Sequence, residues 1–317
     1  MTKAKRKLSL CIMVLAIFSM SGAIFASTRQ NVREILSIKT GKGLGNIGNQ
    51  FFWGNLEPFN GFVIDSKGDI IISDGVNHRI MRFSKEGKLI ARLTLGEKPP
   101  FYPDSLCLDG DENLYVHNLE SQEIVAFSPD GKVLSTYSPA SVLEHKDKRI
   151  KIISHKCGKS MIKLTFGFYG PKTLEPVYVD EYDQHFKLLK REIYNDAASY
   201  YESLLESSSK SGFEKHFEDS NGNQYGYEIV YDWYGKFLPL RKYSSSGSPL
   251  DTFSGLFLTK LTRYKVYDYY TIRATEIDWT ELKGNNLLIV NWYVSPNGII
   301  YALLANRDYV KVLRITQ

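Results

Sequence analysis

The chain has 317 residues, 43% hydrophobic and 13% aromatic, with a formal charge of +5 and three cysteines. Four of its cations, Lys3, Lys5, Arg6 and Lys7, stand at the extreme N-terminus, so the rest is close to neutral and lacks the broad basic surface that nucleic acids require. With only Cys107 and Cys157 beyond that start, a disulfide-dense scaffold is excluded as well.

The N-terminal cations precede an apolar run from Leu8 to Phe18 and the small residues Ser19, Ser21, Gly22, Ala23 and Ala26, the order of a secretory signal peptide. The run is shorter than the roughly 20 apolar residues of a membrane span. Residues 1–26 are therefore read as a leader cleaved after Ala26, with cleavage after Ala23 or retention as an anchor as alternatives. Residues 27–317 are expected as a single domain outside the cytoplasm, periplasmic or secreted.

Next comes Glu34-Ile-Leu-Ser-Ile-Lys-Thr-Gly41, a strand without neighbours of its own. From Gly61 the chain reads as four short strands, 61–65, 69–74, 78–84 and 88–93, separated by Ser66-Lys-Gly68, Gly75-Val-Asn77 and Lys85-Glu-Gly87. These turns supply the Gly and Asn that tight hairpins need. The pattern then recurs without a gap: Asp65 matches Asp109, Phe83 matches Phe127 and Gly87 matches Gly131, each 44 residues on. Four strands repeated at such a period describe a β-propeller blade.

Further along, 148–193 reads as a third blade and 218–253 as a fourth, while the strand-rich stretch 256–277 has no clear register. Between blades three and four, Ala197, Tyr200, Tyr201, Leu204 and Leu205 recur at helical spacing behind a capping Asp196. The last blade, 287–315, ends one strand short at Gln317, and the strand from Glu34 resembles the missing one. The two ends are thus expected to pair and close the ring.

Gly45-Asn-Ile-Gly-Asn-Gln-Phe51, Gly68-Asp-Ile-Ile-Ile-Ser-Asp74, Asn77-His-Arg-Ile80 and Phe83 together resemble the NHL repeat of six-bladed propellers. The resemblance is specific in blade one, weaker in blade two and faint beyond. It implies an all-β, six-bladed propeller of four-stranded antiparallel blades, closed by the mature N-terminal strand and carrying one short helical insertion. Members of that family include interaction scaffolds and some enzymes, so fold alone leaves function open.

Motifs for chemistry are sparse. Asp109, Asp111, Asn113 and Glu120 have a calcium-loop spacing, but Leu114 stands where the loop needs Gly, and Asp219 to Asn223 is read the same way, as a hairpin. His155 and Cys157 share one strand face with no second ligand pair, and the other histidines are scattered. Cys107, at an apolar strand start, is read as a buried free thiol rather than as half of a bridge to Cys157. No catalytic or metal-binding residue is assigned, and no cofactor is expected.

Rings crowd the second half, and Tyr200, Tyr225, Tyr227, Tyr234 and Tyr267 are the candidate ligand contacts, since rigid amphipathic rings suit a glycan or protein surface. The expected function is a binding scaffold for a protein, peptide or carbohydrate, with neither nucleic acid nor a lasting membrane span as partner. The alternative is an extracytoplasmic hydrolase or lyase similar to the lactonase and amidating-lyase propellers, which would use a divalent cation.

Overall fold

The repeated Asp of each first hairpin is a clasp for its own turn. Asp65 Oδ1 accepts the backbone N–H groups of Lys67 and Asp69 at 3.0 and 2.8 Å. Asp109 does the same for Asp111 and Asn113, Asp219 for Asn221 and Asn223, and Ser295 Oγ accepts from Ile299 in the last blade. Gly68, Gly222 and Gly298 supply the left-handed residue of this turn. In blade two Glu112 holds that conformation at φ 65°, and its carboxylate accepts the N–H of Ser66 across the blade boundary.

The computed structural model describes residues 31–48, 50–52, 55–57, 61–95, 101–139, 150–169, 174–203, 215–227, 230–232, 235–237, 240–246, 249–252, 264–267, 274–277, 288–305 and 308–316. The leader and Tyr234 lie outside them. Five antiparallel four-stranded sheets are present among these residues. Blade one comprises Phe62–Ile64, Ile70–Asp74, Arg79–Phe83 and Leu89–Leu93. Blade two comprises Pro103–Leu108, Leu114–Asn118, Glu123–Phe127 and Val133–Tyr137. Ile150–Cys157, Met161–Tyr169, Leu174–Asp183 and Leu188–Tyr194 form blade three. Lys215–Glu218, Gln224–Tyr227, Leu240–Tyr243 and Pro249–Thr252 form blade four. Leu288–Val294, Ile300–Ala305 and Tyr309–Thr316 belong to blade five.

The protein is therefore a propeller of five blades among the described residues, not the six that the resemblance implies. Between blades four and five the described residues form one hairpin, Tyr264–Tyr267 with Ala274–Ile277. From 253 to 287 no Asp or Ser stands three residues ahead of a Gly, the spacing found at the clasps of blades one, four and five.

Asn31–Lys39 supplies the fourth strand of blade five, running antiparallel to Tyr309–Thr316 from Asn31 opposite Thr316 to Lys39 opposite Tyr309. Leu36 and Ile38 are buried and alternate with exposed Ser37 and Lys39, as a half-buried strand requires. Their side chains join Val310 and Val312 in the core between blades five and one. Lys311 and Glu34 add an ion pair at 2.8 Å. The inner strands of adjacent blades abut in the order four, five, one, two, three.

A buried polar hub holds the segment after the closing strand. Asp74, fully buried, accepts from Gly48 N–H at 2.8 Å, from Asn77 and from Arg79 Nε. Arg79 in turn donates to the carbonyls of Gly43 and Asn46, and Asn77 to that of Gly41. A Cβ at Gly48 would meet Val76 at 2.5 Å, so the close approach needs glycine.

Cys107 and Cys157 form a disulfide, with Cα atoms 5.6 Å apart. This corrects the free thiol expected at Cys107. The apolar strand start is real, but propeller closure brings the inner strands of blades two and three side by side, which sequence spacing could not reveal. The helix expected after Asp196 is present over 197–203, with Ser199 N–H donating to Asp196 Oδ1 at 2.7 Å.

Two outcomes follow from this architecture. Deleting residues 27–41 removes the closing strand and should yield aggregate instead of a monodisperse species in size-exclusion chromatography, because both Tyr309–Thr316 and the apolar core beneath it become exposed. Reducing the disulfide should lower the unfolding free energy by about 2 to 4 kcal/mol in urea titrations, the range for closing a loop of this length.

Candidate functional site

The repeat itself marks a place where blade two departs from blade one. At the inner edge of blade one, Gly61 N–H donates to Ser73 Oγ at 3.0 Å. At the matching positions 44 residues on, Ser105 replaces Gly61 and His117 replaces Ser73. Both side chains have other partners.

Ser105 Oγ lies 3.0 Å from His155 Nδ1, on the inner strand of blade three. His155 Nε2 lies 3.2 Å from the carbonyl of Tyr115. A carbonyl can only accept, so Nε2 carries the proton, Nδ1 is the acceptor, and Ser105 O–H donates to it. His117 stands beside this pair, its ring centre 6.5 Å from that of His155 and its Nδ1 3.4 Å from Asp104 Oδ2. His117 is 3% exposed, and among the described residues its Nε2 has no hydrogen-bond partner.

Burial, and then the neighbouring His117, push the His155 pKa from 6.5 down to about 4, against the opposing pull of the Tyr115 carbonyl and of Asp104. The ring is therefore neutral at pH 7. Chemically the cluster offers a serine hydroxyl, a neutral imidazole, a carboxylate and an unsatisfied imidazole nitrogen, gathered from three strands of two blades.

The predicted aromatic contacts lie elsewhere. Tyr225 is 1% exposed, and its hydroxyl donates to Asp219 Oδ2 at 2.9 Å, completing the hairpin clasp. Burial and that carboxylate push its phenol upward. Tyr200, 9% exposed, packs the helix onto Val177 and Val179 of blade three. These two rings are structural, because amphipathic alternation marks a half-buried face without saying what covers it. Tyr227 and Tyr267 lie in strands whose side chains are outside the described set, as is all of Tyr234.

Asp109 and Asp219 spend their carboxylates on turn N–H groups and on Asn113, Tyr115, Asn223 and Tyr225. Among the described residues no three His, Cys, Asp or Glu side chains gather in a metal-binding group. At the inner strands of blades one, four and five, Tyr293 meets Phe62 and Phe217 edge-on at 6.2 and 6.0 Å. The histidine pair was missed in the sequence because His117 and His155 are far apart along it, although the change from Gly61 and Ser73 to Ser105 and His117 was visible at a single offset.

Solved β-propellers are the structures this chain is similar to. A selenomethionine-substituted virginiamycin B lyase from Staphylococcus aureus is 12% identical, the match covering 90% of this chain and 99% of that one at a TM-score of 0.41. A luciferin-regenerating enzyme is 13% identical, covering 82% and 91% at 0.38. A streptogramin B lyase structure is 11% identical at 0.32 over 81% of this chain, which spans just under two thirds of that chain's length, 65%. No family model matches the sequence, and no curated protein does. At these identities and scores the similarity assigns no activity.

The depressed His155 pKa has a definite consequence for stability. Unfolding restores the ordinary value of 6.5, so the unfolded chain binds the proton first as pH falls. The stabilisation from keeping His155 neutral is complete above about pH 6.5 and is lost as pH falls towards 4, by about 3 kcal/mol. Urea unfolding at pH 7.0 and 4.5 should show that loss in the wild type and a flatter profile in His155→Phe.

Proposed function

We propose that the protein works outside the cytoplasm, after removal of residues 1–26, as a binding propeller that holds a protein, peptide or carbohydrate ligand without transforming it. The observation that supports binding over catalysis is the state of His155. Ser105 and His155 have the spacing of a nucleophile and its base, with Tyr115 as the group that orients the base. A general base is most effective with a pKa near the working pH, and His155 is held at about 4 by burial. The pair is a sound hydrogen-bonding element and a poor proton acceptor.

The polar part of the ligand surface is then Asp104 and Ser105, both partly exposed, backed by His117. Tyr227, Tyr234 and Tyr267 are proposed as its apolar contacts on the argument from sequence. Among the described residues no helix is long and apolar enough to cross a membrane.

Glycan and peptide arrays probed with the processed protein test this directly. Asp104→Asn, and Ala at Tyr227, Tyr234 or Tyr267, should each lower retention of the captured ligand about tenfold or more, the loss of one good contact of about 1.4 kcal/mol, while leaving the melting temperature nearly unchanged. Turnover of esters or lactones by purified protein, lost on chelation or in His155→Ala, would overturn the binding proposal in favour of the hydrolase or lyase.

A further inference from the structure

Two links join the inner strands of blades two and three, and they lie two residues apart on each strand. Ser105 meets His155 and Cys107 meets Cys157, both across a separation of 50 residues. Alternate residues of an extended strand emerge on one side, so the hydrogen bond and the disulfide act as neighbouring rungs between the same two strands. Both cysteines are half-buried, within reach of a small thiol.

The seam has other attachments that do not pass through these rungs. Gly110 N–H donates to the Lys159 carbonyl at 3.0 Å, Ile152 N–H to Gln122 Oε1 at 2.6 Å, and Gln184 Nε2 to Asp111 Oδ2 at 2.8 Å. A core that includes Ile124, Ile152, Ile162, Phe166 and Tyr178 spans the two blades. Opening the disulfide therefore leaves these attachments in place and removes one covalent link between the two inner strands.

We propose that the Cys107–Cys157 disulfide is a redox latch on this inner edge. Oxidised, it holds His155 between Ser105 and the Tyr115 carbonyl and away from water; reduced, it lets the two strands separate there and opens the imidazole to solvent. The reductant is a dithiol. One of its thiolates attacks a cysteine sulfur, the displaced cysteine thiolate takes a proton, and the second thiol of the reductant resolves the mixed disulfide. The products are two cysteine thiols and the reductant's own disulfide, a transfer of two electrons and two protons.

Hydration of His155 reports the state of the latch. The groups that face the ring are Asp104 and Ser105 from the first strand of blade two, and His117 and the Tyr115 carbonyl from its second. In the closed state burial dominates these contributions. Once the ring is hydrated that penalty falls away, and the Asp104 charge then favours the protonated form.

The test is a histidine titration by NMR on isotopically labelled protein, with His155→Gln used to assign the resonance. Oxidised protein should keep His155 neutral down to about pH 4. Reduction with dithiothreitol, verified by thiol labelling at both cysteines, should raise the midpoint by about one pH unit or more towards 6.5, with the amide signals of blades one to three retained. Cys107→Ser/Cys157→Ser should reproduce the reduced midpoint. An unchanged midpoint in verified reduced protein overturns the proposal, and so does loss of the blade amide signals on reduction, which would make the bond a staple of the whole fold. Because no ligand enters the titration, its failure is distinct from a failure of the binding proposal.

Discussion

Ring closure by the N-terminal strand is the constraint on which the remainder depends. A propeller blade cannot bury both faces alone; each face is covered by the next blade, so the apolar surfaces stay dry only if the circle is complete. Here the completing element is Asn31–Lys39 against Tyr309–Thr316, with Leu36 and Ile38 supplying the apolar side. The closure joins positions at opposite ends of the chain. Its entropic cost is offset by pairing along the full strand and by the core it seals.

The strand does not act alone, because the segment that follows it is tied to blade one. Asp74, Asn77 and Arg79 are the residues that carry the NHL-like resemblance, and in this protein they bind residues 41–48. A buried Asp with an Arg beside it is costly to desolvate, and it is tolerated where every oxygen and most N–H groups find partners. Blade three has a second hub of this kind, in which Arg191 donates to both oxygens of fully buried Asp180 while Tyr182 bonds Asp180 and Tyr137. Arg82 links blades one and two through Asp65 and the Pro129 carbonyl. Polar groups at these seams fix how one blade sits on the next, a directional role that apolar packing cannot supply.

Against this background the inner edge of blades two and three is unusual in its chemistry. Elsewhere the inner strands meet through Phe62, Phe217 and Tyr293, or through glycine. At Ser105 and His155 they meet through polar groups, and beside them on the second strand of blade two His117 has a ring nitrogen that lacks a partner among the described residues. An unsatisfied buried nitrogen costs stability. Retaining one next to a disulfide and a neutral histidine favours a role in recognition or switching over packing.

Much of the fold was legible in the chain, for local reasons. The glycine turns at Gly68 and Gly87, the period between Asp65 and Asp109 and the cap at Asp196 are decided within a few residues, and each appears where sequence reasoning put it, whereas Gly75-Val-Asn77, read as a hairpin turn, is a 3-10 turn in which His78 takes the left-handed position. Closure was also readable, since a blade lacking a strand at one terminus and a lone strand at the other imply each other. Blade number, the disulfide and the grouping of Asp104, Ser105, His117 and His155 were decided only by the tertiary structure. They depend on which inner strands become neighbours and how many blades fill the circle, and no local pattern encodes a distance between residues 50 apart in sequence. The same limit explains Tyr200 and Tyr225: their alternation announced a face, and only the assembled blades showed that the face was covered.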